Sequence, residues 1–205
     1  MWPYHNGWLQ KVLETKPYSY FTSDNFYSNI DEANMATLGI YGAVSTWSGY
    51  GWNIPMVFDN DSDIGQTSGI AADNWRIIPH YTGIPETDMF YGSWSALYQG
   101  IDRANVVLEQ IPKMQTYTSG TETEKAQLNR MLGEAKFLRG FYYSELVRLW
   151  GDVPFKTTAS KAGADLKPGL TDRSVIYTQI IKDMQEAADL LPVAPPPTSV
   201  STGGL

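Results

Sequence analysis

The chain has 205 residues, 42% hydrophobic and 18% charged, which suits one sizeable buried core or part of a larger one and excludes the disordered class. A formal net charge of -7 with no basic run argues against nucleic acid, whose binding depends on clustered Lys and Arg. The lack of cysteine rules out disulfides and thiolate metal sites, and no apolar stretch is long enough to span a bilayer as a helix.

Residues 1–28 read as a leader followed by an extended, turn-rich segment, and Met1 to Leu13 shows neither a signal peptide nor a cysteine for lipidation. Asn29 and Glu32 have capping-box spacing, and Ala33, Ala36, Thr37, Ile40, Tyr41 and Val44 trace a helix face to about Ser45. From Thr46 to Thr87 the periodicity disappears, while Trp47, Tyr50, Trp52, Trp75 and Tyr81 sit among Gly, Asn, Asp and Ser. A connection this long is usually functional or disordered, and so many aromatics favour an ordered binding loop. A short helical turn is expected near Ala71 to Arg76.

A second helix is predicted from about Asp88 to Ile111, stopped by Pro112, with Phe90, Trp94, Leu97, Tyr98, Ile101, Ala104 and Leu108 as its core stripe. Asn105 interrupts that stripe, so its amide needs a hydrogen-bonding neighbour. Met114 to Gly120 is a short connection, which makes the flanking helices antiparallel neighbours.

Thr121 and Glu124 then read as a capping box, and a helix from Glu122 to Trp150 would be roughly 40 Å long at about 1.5 Å per residue. Its apolar positions 128, 131, 132, 135, 138, 142, 146 and 149 form one face, and Phe137 with Phe141 forms another, the mark of a buried helix. Gly151 and Pro154 end it. Glu145 and Arg148 have the spacing to pair within the helix, whereas Arg139 needs a partner from another element.

Lys156 to Leu170 reads as an irregular polar loop. Asp172 or Ser174 caps a fourth helix, with Ile176, Ile180, Met184, Ala187, Ala188 and Leu191 on one face, ended by Pro192. Residues 192–205, rich in Pro, Ser and Gly, read as a linker or truncated end, leaving 29–191 as the helical domain. No 34-residue repeat is visible.

Glu134-Ala135-Lys136-Phe137-Leu138-Arg139-Gly140-Phe141-Tyr142-Tyr143, followed by Leu146-Val147-Arg148-Leu149-Trp150-Gly151-Asp152-Val153-Pro154, closely resembles the signature helix of the SusD/RagB family. Tyr98, Ile101, Ala104 and Asn105 resemble a second pattern of that family. The resemblance implies an all-α, tetratricopeptide-like fold with long irregular loops. It also implies a surface-exposed lipoprotein of the outer membrane that binds oligosaccharide or polysaccharide and partners a SusC-like TonB-dependent transporter for import. Family members carry a lipidated N-terminal cysteine and are much longer, so the resemblance covers about the N-terminal two-fifths and implies truncation.

The chemistry of the chain fits capture without catalysis. His5 and His80 are the only histidines, and no nucleophile elbow, phosphate-binding loop or His-Glu-x-x-His motif is present. Asp59-Asn60-Asp61-Ser62-Asp63-Ile64-Gly65 starts like a calcium loop, but Ile64 stands where Gly belongs and Ile70 where the bidentate Glu belongs. An Asp-rich turn is therefore expected, with no metal or other cofactor. Nor does a run of Asp supply the fixed carboxylate separation of a glycoside hydrolase.

A pyranose has an apolar C–H face and a rim of hydroxyls, which calls for flat aromatic rings beside a few polar groups. Asp73, Asn74, Trp75 and Arg76 combine these types, and Trp52 and Tyr50 are expected to complete an aromatic arc. Two rivals are a same-fold protein with peptide cargo and a helical interaction module with no small ligand.

Overall fold

The computed structural model describes residues 26–60, 62–65, 75–161 and 168–193. Most of the expected leader, residues 71–74 of the expected helical turn, and the tail after Val193 lie outside them. The described chain is all-α and tetratricopeptide-like. Its helices are α1 (Ile30–Val44), α2 (Asn53–Asn60), α3 (Asp88–Gln110), α4 (Gln115–Ser119), α5 (Glu122–Trp150) and α6 (Arg173–Leu190). A π-turn at Trp47–Gly51 separates α1 from α2, and a 3-10 turn at Ile111–Lys113 follows α3.

Local chemistry accounts for the helix ends. Thr121 Oγ1 accepts from the Glu124 N–H at 3.3 Å and Glu124 accepts from the Thr121 N–H at 2.7 Å, the full capping box that starts α5. At α1 only half of the expected box forms. Asn29 accepts from the Glu32 N–H, but the Glu32 carboxylate reaches past Asn29 to the Ser28 N–H at 2.8 Å. Asp172, not Ser174, caps α6. Gly151 ends α5 at φ 75°, a value that favours glycine.

Helix α5 is the central rod, with Leu128, Met131, Ala135, Leu138, Tyr142, Tyr143 and Leu146 in the main core. It runs antiparallel to α3, since Trp94 meets Trp150 while Asn105 meets Arg139. It is also antiparallel to α6, since Gly133 approaches Leu190 while Gly140 approaches Ile180. Helix α1 lies on the other side, where the Tyr142 hydroxyl donates to the Ile40 carbonyl at 2.7 Å. The α3–α5 approach is close enough that a Cβ on Gly100 would sit 2.3 Å from the Tyr142 ring.

The interior charges are paired as the sequence demands. Arg139 forks onto Asp183 of α6, with Nε donating at 2.8 Å and Nη2 at 2.7 Å, and Nη1 donates to Asn105 Oδ1 of α3 at 2.8 Å. The Asn105 amide donates in turn to the carbonyls of Lys156 and Thr158. Glu134 pairs with Arg130, and Arg148 Nη1 donates to Glu145 at 2.9 Å.

Three further features depart from the sequence reading. The 46–87 segment is not wholly irregular, because it contains the π-turn and α2. The connection after Met114 holds the single-turn helix α4. The 156–170 loop ends in a two-residue antiparallel bridge, Val153–Pro154 against Leu170–Thr171, which ties the exit of α5 to the entry of α6.

Arg139 and Asp183 are 5% and 0% exposed, so removing one partner strands a buried charge. Arg139→Met is expected to cost about 3–5 kcal/mol in denaturant unfolding. A second expectation concerns alkaline pH. Burial pushes the Tyr143 phenol up from 10.0 to about 12, and burial does the same to Tyr27. The neutral phenols therefore contribute stability that is complete below pH 10 and lost as pH rises towards 12. The urea midpoint should fall across that window, with a smaller fall in Tyr143→Phe.

Candidate functional site

The aromatic loop owes its order to a π-turn. The Trp52 N–H donates to the Trp47 carbonyl, closing an i→i+5 ring that brings these two side chains to one side. Gly49 allows it, since a Cβ there would lie 2.4 Å from the Val44 carbonyl oxygen. Thr46 caps the turn, its hydroxyl accepting from the Gly49 N–H at 3.2 Å.

Beyond the turn, α2 carries Pro55 in its first turn, where a missing N–H costs nothing, and buries Ile54 and Val57. Val57 joins Ile78 and Met89 in a small satellite core, with Trp52, Met56, Trp75, Phe90 and Leu149 packed around it. A hollow of about 330 Å³ adjoins this core, lined by Val57, Phe90, Leu149 and Trp150 together with Gly83, Ile84 and Pro85.

The rings on this base form an arc. Trp47 stacks on Trp52 with centroids 5.1 Å apart and planes at 15°, and Trp75 meets Trp52 edge-on at 6.5 Å. The Arg76 guanidinium covers the Trp75 ring at 4.5 Å. Trp52 and Trp75 are half-buried, whereas Trp47 is 67% exposed. Trp47 is thus the outermost indole.

Of the expected site residues, Trp52, Trp75 and Arg76 come together. Tyr50 does not complete the arc. Its ring stacks instead on Phe141 of α5 at 5.8 Å, and its hydroxyl lies beside the Glu145 carboxylate. Burial first, and then the Glu145 charge, push its pKa up to about 12. Asp73 and Asn74 lie outside the described residues. Sequence reasoning did not include Trp47 in the arc. The signal that would have found it is the Trp-x-Gly-x-Gly-Trp spacing, in which two glycines permit an i→i+5 turn.

The Asp-rich segment forms a turn, with Ser62 Oγ donating to the Asp59 carbonyl and accepting from the Gly65 N–H. Asp61 lies outside the described residues, as does His5, and His80 is exposed on the loop. Among the described residues no group of three or more His, Asp or Glu side chains could hold a metal ion, and no helix is long and apolar enough to cross a membrane.

A second aromatic surface runs along α3, a groove of about 550 Å³ lined by Tyr91, Trp94, Tyr98, Asp102 and Arg103 among others. Much of its polar capacity is already engaged by the fold. The Tyr98 hydroxyl donates to the Pro154 carbonyl, Asp102 accepts from the Ser160 N–H, and Arg103 donates to the Gly39 carbonyl. The loop arc, with its open indole, is the stronger candidate.

Comparison with known proteins agrees with this architecture. The model of a SusD-like family, described as "Starch-binding associating with outer membrane", matches residues 11–201. SusD-like protein P25 of Formosa agariphila is 25% identical over 87% of this chain and 34% of its own length. A crystal structure of a SusD homolog from Bacteroides thetaiotaomicron superposes with a TM-score of 0.75 at 32% identity, covering 83% of this chain and 32% of that one. A laminarin-binding SusD-like protein superposes with a TM-score of 0.68 at 30% identity, covering 81% and 35%. The chain spans about a third of the length of these relatives. A central rod with this signature, and a family match over nearly the whole sequence, make this chain a member of the SusD-like family.

Proposed function

We propose that this chain captures an oligosaccharide or polysaccharide without altering it, as the N-terminal part of an outer-membrane protein that feeds a SusC-like TonB-dependent transporter. The observation that carries the reading is the stacked Trp47–Trp52 pair, whose outer indole stands open on an ordered loop. An exposed indole face suits the C–H face of a pyranose. Arg76 is the polar side chain at this arc suited to hydroxyl contacts, Asp73 and Asn74 are candidates from the sequence alone, and Trp75 buttresses Trp52 from the edge. The family's description as starch-binding and the laminarin-binding neighbour support a glucan as ligand. Attachment to the outer membrane through a lipid anchor is part of the same reading, supported by the family's description as outer-membrane-associated. Several such contacts along one polymer raise avidity without any single strong site.

Calorimetry against a panel of starch-type and laminarin-type glucans tests this. Trp47→Ala should weaken binding about tenfold, the equivalent of about 1.4 kcal/mol. Trp52→Ala should do at least as much, because it also removes the base of the stack. Unchanged affinity in both variants contradicts the site. Binding of peptides alone favours a peptide cargo, and transporter association without any small ligand favours an interaction module.

A further inference from the structure

Trp52 lies in sequence between Tyr50 and Phe58, and both of these are gripped by one face of α5. The Tyr50 ring stacks on Phe141, and the Phe58 ring lies 4.4 Å beneath the Arg148 guanidinium. Phe141, Glu145 and Arg148 are spaced by four and three residues, so they form a single stripe on the rod. Arg148 Nη1 donates to Glu145 Oε1 at 2.9 Å, which fixes the guanidinium plane. The Glu145 carboxylate also lies beside the Tyr50 hydroxyl.

Glu145 is poorly explained as a core residue. It is 2% exposed, and its Oε2 makes no hydrogen bond among the described residues. Its cationic partner stands largely in solvent, with the Arg148 side chain 55% exposed. A leucine there would avoid the desolvation of a carboxylate. The charge is accounted for by the guanidinium it holds over Phe58, with the Tyr50 hydroxyl close beside the same carboxylate.

We propose that Glu145 and Arg148 are positioning residues for the indole shelf, clamping the chain before and after Trp52 so that Trp47 and Trp52 stay stacked and outward. The inference rests on the glycan-binding reading for its consequence, but the clamp can be measured without any glycan. The exciton couplet of the Trp47–Trp52 stack is read as the difference in circular dichroism between the parent and Trp47→Phe, which leaves the Trp94–Trp150 and Trp52–Trp75 pairs in both spectra. It is a signature that a merely structural role for Glu145 and Arg148 would not move. In Glu145→Gln and Arg148→Met of the full chain, the couplet should fall by more than about half and glucan affinity about tenfold, with the helical signal retained. Should either variant fail to fold, Phe58→Leu leaves the ion pair intact, removes only the ring beneath the guanidinium, and reads the same couplet.

An unchanged couplet in folded variants overturns the inference, as does a parent protein with no couplet. An intact couplet with lost affinity also overturns it, by making Arg148 or Glu145 a direct ligand contact. A couplet lost in the variants of a parent that binds no glucan upholds the clamp and sinks the glycan reading instead.

Discussion

The architecture turns on one buried fork, Arg139 against Asp183, with Asn105 on the remaining nitrogen. These three side chains belong to α5, α6 and α3, and Asn105 extends the network to the loop backbone at Lys156 and Thr158. The net stability of a buried ion pair is modest, because desolvation offsets most of the attraction. Its geometry is demanding, however. A guanidinium can meet a carboxylate bidentately and an amide oxygen at once only with the three helices in a single register. The Tyr143 hydroxyl repeats the theme, donating to the Lys156 carbonyl and accepting from the Lys156 N–H, both at 2.8 Å.

That register matters for the site because the aromatic loop is built against the far end of the same rod. Leu149 enters the satellite core under Trp52 and Trp75, and Phe141 receives Tyr50. The shelf thus inherits its rigidity from α5. Ordering a loop on ligand binding costs free energy at that moment, whereas a loop already packed has met that cost on folding. The π-turn contributes in the same direction, since its i→i+5 closure fixes the Trp47 and Trp52 backbone positions relative to each other.

Much of this was legible in the chain itself. The capping box at Thr121 and Glu124, the stripe through α5, the need of Arg139 for a distant partner and of Asn105 for a polar neighbour all follow from residue chemistry and spacing. Helix α2 was not legible, because eight residues containing Pro55 give too short a window for helical periodicity to emerge. The π-turn escaped because its closure follows neither helical nor strand spacing. Tyr50 was misplaced for a different reason. Its neighbour, Phe141, lies far along the chain, and local sequence does not say which distant helix a loop aromatic leans on. Trp47 was overlooked with the π-turn, since the Trp-x-Gly-x-Gly-Trp spacing that pairs it with Trp52 is not a helical or strand pattern.

The central claim is that an open pair of indoles, held by the rod, receives a sugar face. Solute quenching of tryptophan fluorescence tests it directly, comparing the parent with Trp47→Phe in the absence and presence of a bound glucan. The account predicts that a glucan which binds will shield a quenchable tryptophan in the parent, and that this shielded component will be missing from the variant. A glucan that binds while leaving the quenching of Trp47 unchanged would contradict it.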